Sequence, residues 1–504
     1  MTKRIALFGG PIAACLAGIA LLLGGGTSAA AWTAAVVVLC ATWWVFEPIP
    51  IPVTSLIPLA VFPLVGVLST AQVGQAYGHW LVLLMMGGFM LSVAMERSNT
   101  HRRIALTMVN WFGGGGGRGL VFGFMAAAAT LSMWISNAAT TLMLLPIAMA
   151  VVAKSNDPRL RVSLLLGIAY AASIGGIGTP IGTPPNLVFM REYAKVLQDG
   201  DPGLQTDADG AASAEAAVDT EPAPLGDASL EVVADEAARA LSNTQPPTFL
   251  EWMSWSLPIA LIMLPITGFW LTRNLKTTSK IELPEVGRWR TEEVRTLTVF
   301  AVTALLWMTR ADPLGGWSGW LGLEVKDSSI ALLSVVAMFL IPNGNKDGEK
   351  LLDWESAVKI PWGILILYGG GIAIAQAFEE SGLNQTIGEQ FRALAEVPVV
   401  IMIVATCLFV TFLTEVTSNS ATANLLMPIM GLAAVNAGIE ARVLMVPATI
   451  SCSFAFMLPV ATPPNAIVFG GSDDLTIKQM AREGLALNLV GVVVVSAVCL
   501  WLFT

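Results

Sequence analysis

One pair of phrases occurs twice in this chain, each time inside apolar sequence. Ser136-Asn137-Ala138-Ala139-Thr140, followed by Pro146-Ile147, recurs as Ser418-Asn419-Ser420-Ala421-Thr422, followed by Pro428-Ile429. Downstream, Thr183-Pro184-Pro185-Asn186 recurs as Thr462-Pro463-Pro464-Asn465. The second copies lie 282 and 279 residues after the first, so order and spacing are kept with the words. Small polar residues and prolines in apolar segments break helices and leave backbone groups unpaired. At membrane depth such breaks persist only where they line a cavity or are buried in protein. Matching interruptions in two halves of a membrane chain point to a transporter's central binding site.

That reading requires a chain that lives in a bilayer, and the composition agrees. Charged residues make up 12% of the 504 residues and apolar ones 55%, against about 25% charged in soluble domains. Repeated apolar runs of roughly 20 residues predict an all-α polytopic membrane protein. The net charge of −9 comes largely from one acidic stretch. No basic patch with interleaved aromatics is present, so nucleic acid is not expected as a partner. The five cysteines, 15, 40, 407, 452 and 499, lie in apolar segments without metal-ligand spacing and read as small apolar residues. His79 and His101 are too few and too far apart for a zinc or nucleophilic site, and His101, beside Arg102 and Arg103, reads as solvated. Gly113 to Gly117 with Arg118 is not a phosphate loop, since no strand precedes it and no Gly-Lys-Ser/Thr follows; it reads as a flexible joint. Trp32, Trp80, Trp252 and Trp255 sit at span ends and read as interface anchors.

Spans are expected near 5–24, 31–47, 51–69, 80–97, 254–272, 295–309, 328–342, 362–379 and 483–503, with long broken spans at 162–190 and 442–470. If 119–153 and 396–434 are re-entrant hairpins, about eleven transmembrane helices remain. The positive-inside rule favours this count, because it gathers Arg97, Arg102, Arg103, Arg118, Lys154, Arg273, Arg288, Lys350 and Arg482 on one face. It places the N-terminus in the cytoplasm and the C-terminus outside. Lys3-Arg4, an apolar stretch to Leu23 and Ala29-Ala30-Ala31 resemble a signal peptide; an uncleaved first span is expected, since Met1 is retained and spans follow at once. Gly87-Gly88 and Glu96-Arg97-Ser98 match Gly370-Gly371 and Glu379-Glu380-Ser381, so each repeat holds a span, a hairpin and a broken span, in an inverted repeat. The stretch 199–247, rich in Asp, Ala, Pro and Ser, has too little apolar content for a core and reads as a solvated tether, with a weak helix near 227–241.

At a hairpin tip, Ser-Asn places side-chain oxygens and free backbone groups where two half-helices meet. The helix leaving the tip starts near Ala138 or Ser420 with its amides towards the cavity, which favours an anion. Carbonyls at the adjoining half-helix end, with Asn and Ser oxygens, suit a hard cation such as sodium. Thr-Pro-Pro-Asn repeats the device, since proline removes amide donors and the span unwinds. No Lys or Arg is expected near the motifs, so amides, hydroxyls and bound cations would hold the anion. Glu415 is the one acid within a motif, read equally as functional or as an acceptor for backbone amides. A membrane enzyme would need a catalytic dyad or metal motif that the two histidines do not offer; a channel fits a closed neutral cavity poorly.

Paired Ser-Asn tips, each followed by a proline-broken span, resemble the divalent-anion:sodium symporter family over essentially the whole chain except 199–247. The resemblance implies eleven spans and two hairpins per protomer, a homodimer, and an elevator motion of a transport domain against a scaffold. Scaffold would be 1–118 and 273–395, and transport domain 119–272 and 396–504. It also implies a bacterial inner-membrane protein that couples sodium (Na+) to a small dianion such as a C4-dicarboxylate, or an anion exchanger on the same fold. Carried over, a first sodium site matches Ser132, Ser136, Asn137 and Gly182, and a second matches Thr414, Thr417, Asn419 and Ala461. The dicarboxylate site matches Ser136, Asn137, Thr183, Ser418, Asn419, Ser420, Thr462 and Pro463. The family's tip threonine is replaced by Ala138 in the first motif and Ser420 in the second, which bears on the size and identity of the substrate.

Overall fold

A computed structural model describes residues 2–112, 116–152, 157–199, 247–275, 286–311, 316–323, 325–345, 348–383, 397–471 and 474–503. Among these residues the chain is helical, with one isolated bridge between Pro342 and Lys350. Nearly all of 199–247, and residues 113–115 of the glycine run, lie outside the described residues.

The helices of eight residues or more are α1 (Thr2–Leu23), α2 (Ser28–Phe46), α3 (Ile57–Leu64), α4 (Thr70–Tyr77), α5 (Trp80–Arg97) and α6 (Thr100–Phe112). Then come α7 (Gly116–Ser132), α8 (Asn137–Val152), α9 (Pro158–Gly176), α10 (Pro184–Asp199), α11 (Phe249–Thr272), α12 (Thr291–Met308) and α13 (Asp327–Leu340). The last are α14 (Trp362–Glu380), α15 (Val399–Thr414), α16 (Asn419–Asn436), α17 (Arg442–Cys452), α18 (Pro463–Gly470) and α19 (Ile477–Phe503). Starts follow local chemistry. Thr27 accepts the Ala30 amide ahead of α2, and capping boxes at Ser69 with Gln72 and at Thr248 with Glu251 begin α4 and α11. Six helical segments among the described residues are long and apolar enough to cross a membrane: those ending at Leu23, Phe46, Arg97, Thr272, Glu380 and Phe503.

Three expectations need correction, and the basic segment after Arg97 takes a form that was not foreseen. The span placed at 51–69 is instead a four-residue turn of helix, Ile51–Thr54, followed by α3; Pro50, Pro52, Pro58 and Pro63 remove donors too often for one continuous span. The basic segment after Arg97 is helical, as α6 packs on α7. His101 is buried rather than solvated, with Nδ1 2.8 Å from Met95 O. Trp252 is not an interface anchor but fully buried, whereas Trp32 is exposed. Of the cysteines, Cys15 is exposed and the other four are buried and free.

The core is built around α9 and α17. Every residue of α9 from Ser163 to Gly176 is buried, as are all of α17 from Val443 to Cys452, as expected for helices covered on every side. α9 packs on α7, α8 and α11, and α17 on α15, α16 and α19. The packing is also crossed: α10 lies on α16 and α17, while α18 lies on α8 and α9. In an apolar solvent, association depends on close backbone approach at small residues. At Gly175 a Cβ would stand 2.2 Å from Ala129 O, and at Gly484 2.2 Å from Phe456 O. Both obstacles are backbone and cannot turn aside.

Gly175→Ala is therefore expected to destabilise the folded chain by about 1–3 kcal/mol or more, seen as a lower melting temperature in detergent. Gly74→Ala, with nothing within 4 Å of the new methyl, should leave it unchanged or raised.

Candidate binding site

Each Ser-Asn phrase falls in a gap between two helices that contact one another. α7 ends at Ser132 and α8 begins at Asn137; α15 ends at Thr414 and α16 begins at Asn419. The gaps close in the same way. Ser132 Oγ donates to Asn137 Oδ1 at 2.5 Å, and Thr414 Oγ1 stands 2.9 Å from Asn419 Oδ1. Thr414 Oγ1 is equally close to Cys452 O, so one hydroxyl proton serves two acceptors. Ser136 Oγ caps α8 by accepting the Ala139 amide at 3.2 Å. Ser418 makes no such side-chain cap, which leaves its hydroxyl to the cavity. Thr417 Oγ1 pairs with Thr422 Oγ1 at 2.5 Å, whereas the matching Thr140 Oγ1 is buried without a partner.

The Thr-Pro-Pro-Asn phrases end the two unwound stretches, and here two side-chain hydrogen bonds of each asparagine are duplicated. Asn186 Nδ2 donates to Gly176 O at 3.0 Å and Thr179 O at 2.7 Å. Asn465 Nδ2 donates to Ala455 O at 2.9 Å and Leu458 O at 3.0 Å. Ala455 and Leu458 follow Gly176 and Thr179 by the same 279 residues that separate the phrases. Both asparagines are fully buried. Sequence reading assigned them no role; the signal was the Asn repeated at the end of both phrases. The Ile177 carbonyl receives the Trp252 Nε1 proton at 2.8 Å.

Both motifs open onto one cavity of about 1000 Å³. Its wall includes all eight residues of the expected anion site: Ser136, Asn137, Thr183, Ser418, Asn419, Ser420, Thr462 and Pro463. Ala138, Gly182, Thr417 and Ala461 line it too, while Ser132 and Thr414 lie beneath, reached through Asn137 and Asn419. Oxygens crowd under the first tip: a Cβ on Gly182 would stand 2.5 Å from Gly176 O and 3.0 Å from Ser132 O, and one on Gly176 would stand 2.6 Å from Asn137 Oδ1. These neutral carbonyl, amide and hydroxyl oxygens are the donor set of a hard cation. Apolar side chains that sequence reading did not foresee, Met85, Phe89, Trp134, Leu187, Leu367 and Val460, fill the remaining wall.

Charge near the site departs from expectation at Lys3 and Arg191, while Glu415 takes the second of its two expected roles, an acceptor for backbone amides. Glu415 points away from the cavity and accepts the Met457 amide at 2.8 Å, the Leu458 amide at 3.0 Å and Asn488 Nδ2 at 2.6 Å, so it closes the second break. In the first half Thr179 Oγ1 donates to Met133 O instead. Lys3, with Glu47, stands at the cavity wall, and both are exposed. Arg191, two turns along α10 from its phrase, is buried beside buried Glu192, with Nε 2.5 Å from Glu192 Oε1. The expectation of no basic residue near the motifs holds for the tips and fails for their surroundings.

A family model described as citrate transporter, CitMHS, matches residues 41–445. A protein of Staphylococcus saprophyticus named sodium-dependent dicarboxylate transporter SdcS is 35% identical over 485 residues, covering 92% of this chain and 84% of that protein. The protein of the same name from Staphylococcus aureus strain USA300 is 35% identical over 478 residues, covering 90% and 82%. Among solved structures, the Alcanivorax borkumensis YdaH transporter overlays with a TM-score of 0.49 at 15% identity, covering 87% of each chain.

Glu415→Gln keeps the shape but turns an N–H against a donor amide. It should cost about 1–3 kcal/mol, read as a lower melting temperature in detergent; an unchanged value would show that the carboxylate does not hold the second break.

Proposed function

Because the chain belongs to the citrate transporter family, we propose that it is a secondary active transporter coupling inward sodium movement to uptake of a divalent anion, with a C4-dicarboxylate such as succinate the best fit. The relatives named sodium-dependent dicarboxylate transporter support the ion and the substrate class. One observation carries the reading: two like sets of neutral oxygens sit under two helix starts in a single cavity. Helix starts favour an anion, yet a dianion brought to membrane depth needs positive charge beside it. The tips have no basic side chain, so sodium at Ser132, Ser136, Asn137 and Gly182, and at Thr414, Thr417, Asn419 and Ala461, supplies it. The substrate's two carboxylates then meet Ser136, Asn137 and Thr183 on one side and Ser418, Asn419, Ser420, Thr462 and Pro463 on the other.

In this reading α7 with α8 and α15 with α16 are re-entrant hairpins among about eleven spans. They form, with α9, α10, α11, α17, α18 and α19, a transport unit that moves as an elevator on a scaffold in a homodimer. The membrane is a bacterial inner membrane, with the N-terminus cytoplasmic. Lys3 at the cavity wall then makes the present arrangement one that opens inward.

Uptake of radiolabelled succinate into proteoliposomes tests the reading. A sodium gradient should drive it, and sodium should raise anion affinity, with the reciprocal effect on sodium binding. Uptake that ignores sodium and needs only a counter-anion inside would put an exchanger in its place. Asn137→Ala and Asn419→Ala each remove a contact to a charged species, worth about 1.5–3 kcal/mol, so uptake at fixed sodium should fall about tenfold to a hundredfold. Ala138→Thr restores a hydroxyl and should change the pattern of competing anions more than the sodium dependence.

A further inference from the structure

A polar seam runs between α10 and α14, from Pro184 at the cavity wall to Lys195. Three positions on α10 meet α14 in the same order along both chains. The Tyr368 hydroxyl donates to Pro184 O. Arg191 stands against Gly371, where an added Cβ would lie 3.2 Å from Nη1. Lys195 Nζ donates to Ala375 O at 2.7 Å and pairs with Glu379 Oε1 at 2.9 Å. Arg191 to Lys195 and Gly371 to Ala375 are equal steps of four residues, about 6 Å of helix, so at these two contacts the helices run in the same direction.

The middle contact is unusual. Arg191 spends Nε and Nη2 on Glu192, while among the described residues Nη1 is buried without a hydrogen-bond acceptor. Asn424, on α16, holds Ser420 O through Nδ2 at 2.9 Å, and its buried Oδ1 has no donor. That oxygen would lie only 2.3 Å from a Cβ on Gly371. Side chains from both binding-site halves thus enter one notch that exists because residue 371 has no side chain. One turn away along α14 the same stripe carries Leu367 and Ala375, so the notch does not repeat. A buried guanidinium with unmet donors calls for an explanation, and a single docking position supplies one: the group is held by shape here and gains partners when the helix shifts.

We infer that Arg191 and Lys195 are positioning residues that set the axial register of α10 on α14, and that the Gly371 notch holds the transport unit in the arrangement seen here. This rests on the division into moving and supporting parts proposed above. A shift of one turn, about 5.4 Å, takes Lys195 off Ala375 and Glu379 and lifts Arg191 and Asn424 out of the notch together. Because Asn424 is tied to Ser420 at the second tip, leaving the notch and changing the tip are one movement.

Val460→Cys is the reporter, since Val460 lines the cavity and is 81% exposed. Cys15→Ser removes the one exposed cysteine, and the other four are buried. A membrane-impermeant maleimide is added to either face of sealed vesicles, without sodium or anion. The reporter alone should label mainly from one face. Lys195→Met should move the two-face ratio towards the other face by about two- to fivefold, the scale of a partly exposed ion pair. Gly371→Ala should move it further in the same direction, and Lys195→Arg should restore it. An unchanged ratio in Lys195→Met, with the variant monodisperse, overturns the inference, whether or not Gly371→Ala folds. Equal labelling from both faces in the reporter alone also overturns it, because no arrangement is then being held. Failure of the transport reading is separate: it appears as absent sodium-stimulated succinate uptake by the unsubstituted chain, a quantity the labelling ratio does not use.

Discussion

Two asparagine amides, Asn186 and Asn465, set against bare carbonyls make the rest of this architecture possible. Unwinding a helix in an apolar surrounding strips carbonyls of their intrahelical donors, and no water is on hand to replace them. A primary amide has two protons and needs no charge, so one side chain can gather carbonyls from positions three residues apart, as both asparagines do. Prolines at 184 and 185, and at 463 and 464, then restart the helix at the point where missing amides cost nothing. The cavity, the oxygen clusters and the helix starts facing it all follow from holding these two breaks open.

The halves solve the remainder of the problem differently. In the second, a carboxylate takes two backbone amides and the Asn488 side chain. In the first, a threonine hydroxyl and the Trp252 indole cover carbonyls. One half is thus short of acceptors and the other short of donors. The tips differ in the same spirit: Ser136 is used as a cap and Ser418 is not, which leaves the second tip with more free hydroxyl than the first. A cavity built from near-equal halves is therefore chemically lopsided, which suits a substrate whose two ends need not be alike.

Much of this was legible in the chain itself because period and punctuation are strong signals in apolar sequence. The repeated Ser-Asn and Thr-Pro-Pro-Asn words located the four helix breaks, and apolar length located most helices. What failed did so for physical reasons. The prolines near 50–63 were not weighed in placing a span at 51–69, and they interrupt it. Trp252 looked like an anchor because its position along α11 is near an end, and nothing local reveals that a carbonyl 75 residues away awaits its proton. His101 was misjudged and Arg191 overlooked for a related reason, since burial of a charged or polar group depends on what packs over it. The role of Glu415 was undecidable from a window of neighbours, because its partners come from 457, 458 and 488.

The crossed packing of α10 on α16 and α17 and of α18 on α8 and α9, fastened by the Tyr170 hydroxyl on Phe456 O at 2.7 Å, has a consequence for descent. Halves that arose as copies ordinarily drift apart, each answering to its own neighbours. Here the helix that follows each copy's unwound segment is seated on the other copy's helix from its Ser-Asn motif, so a change of volume in one is met across the join rather than at home.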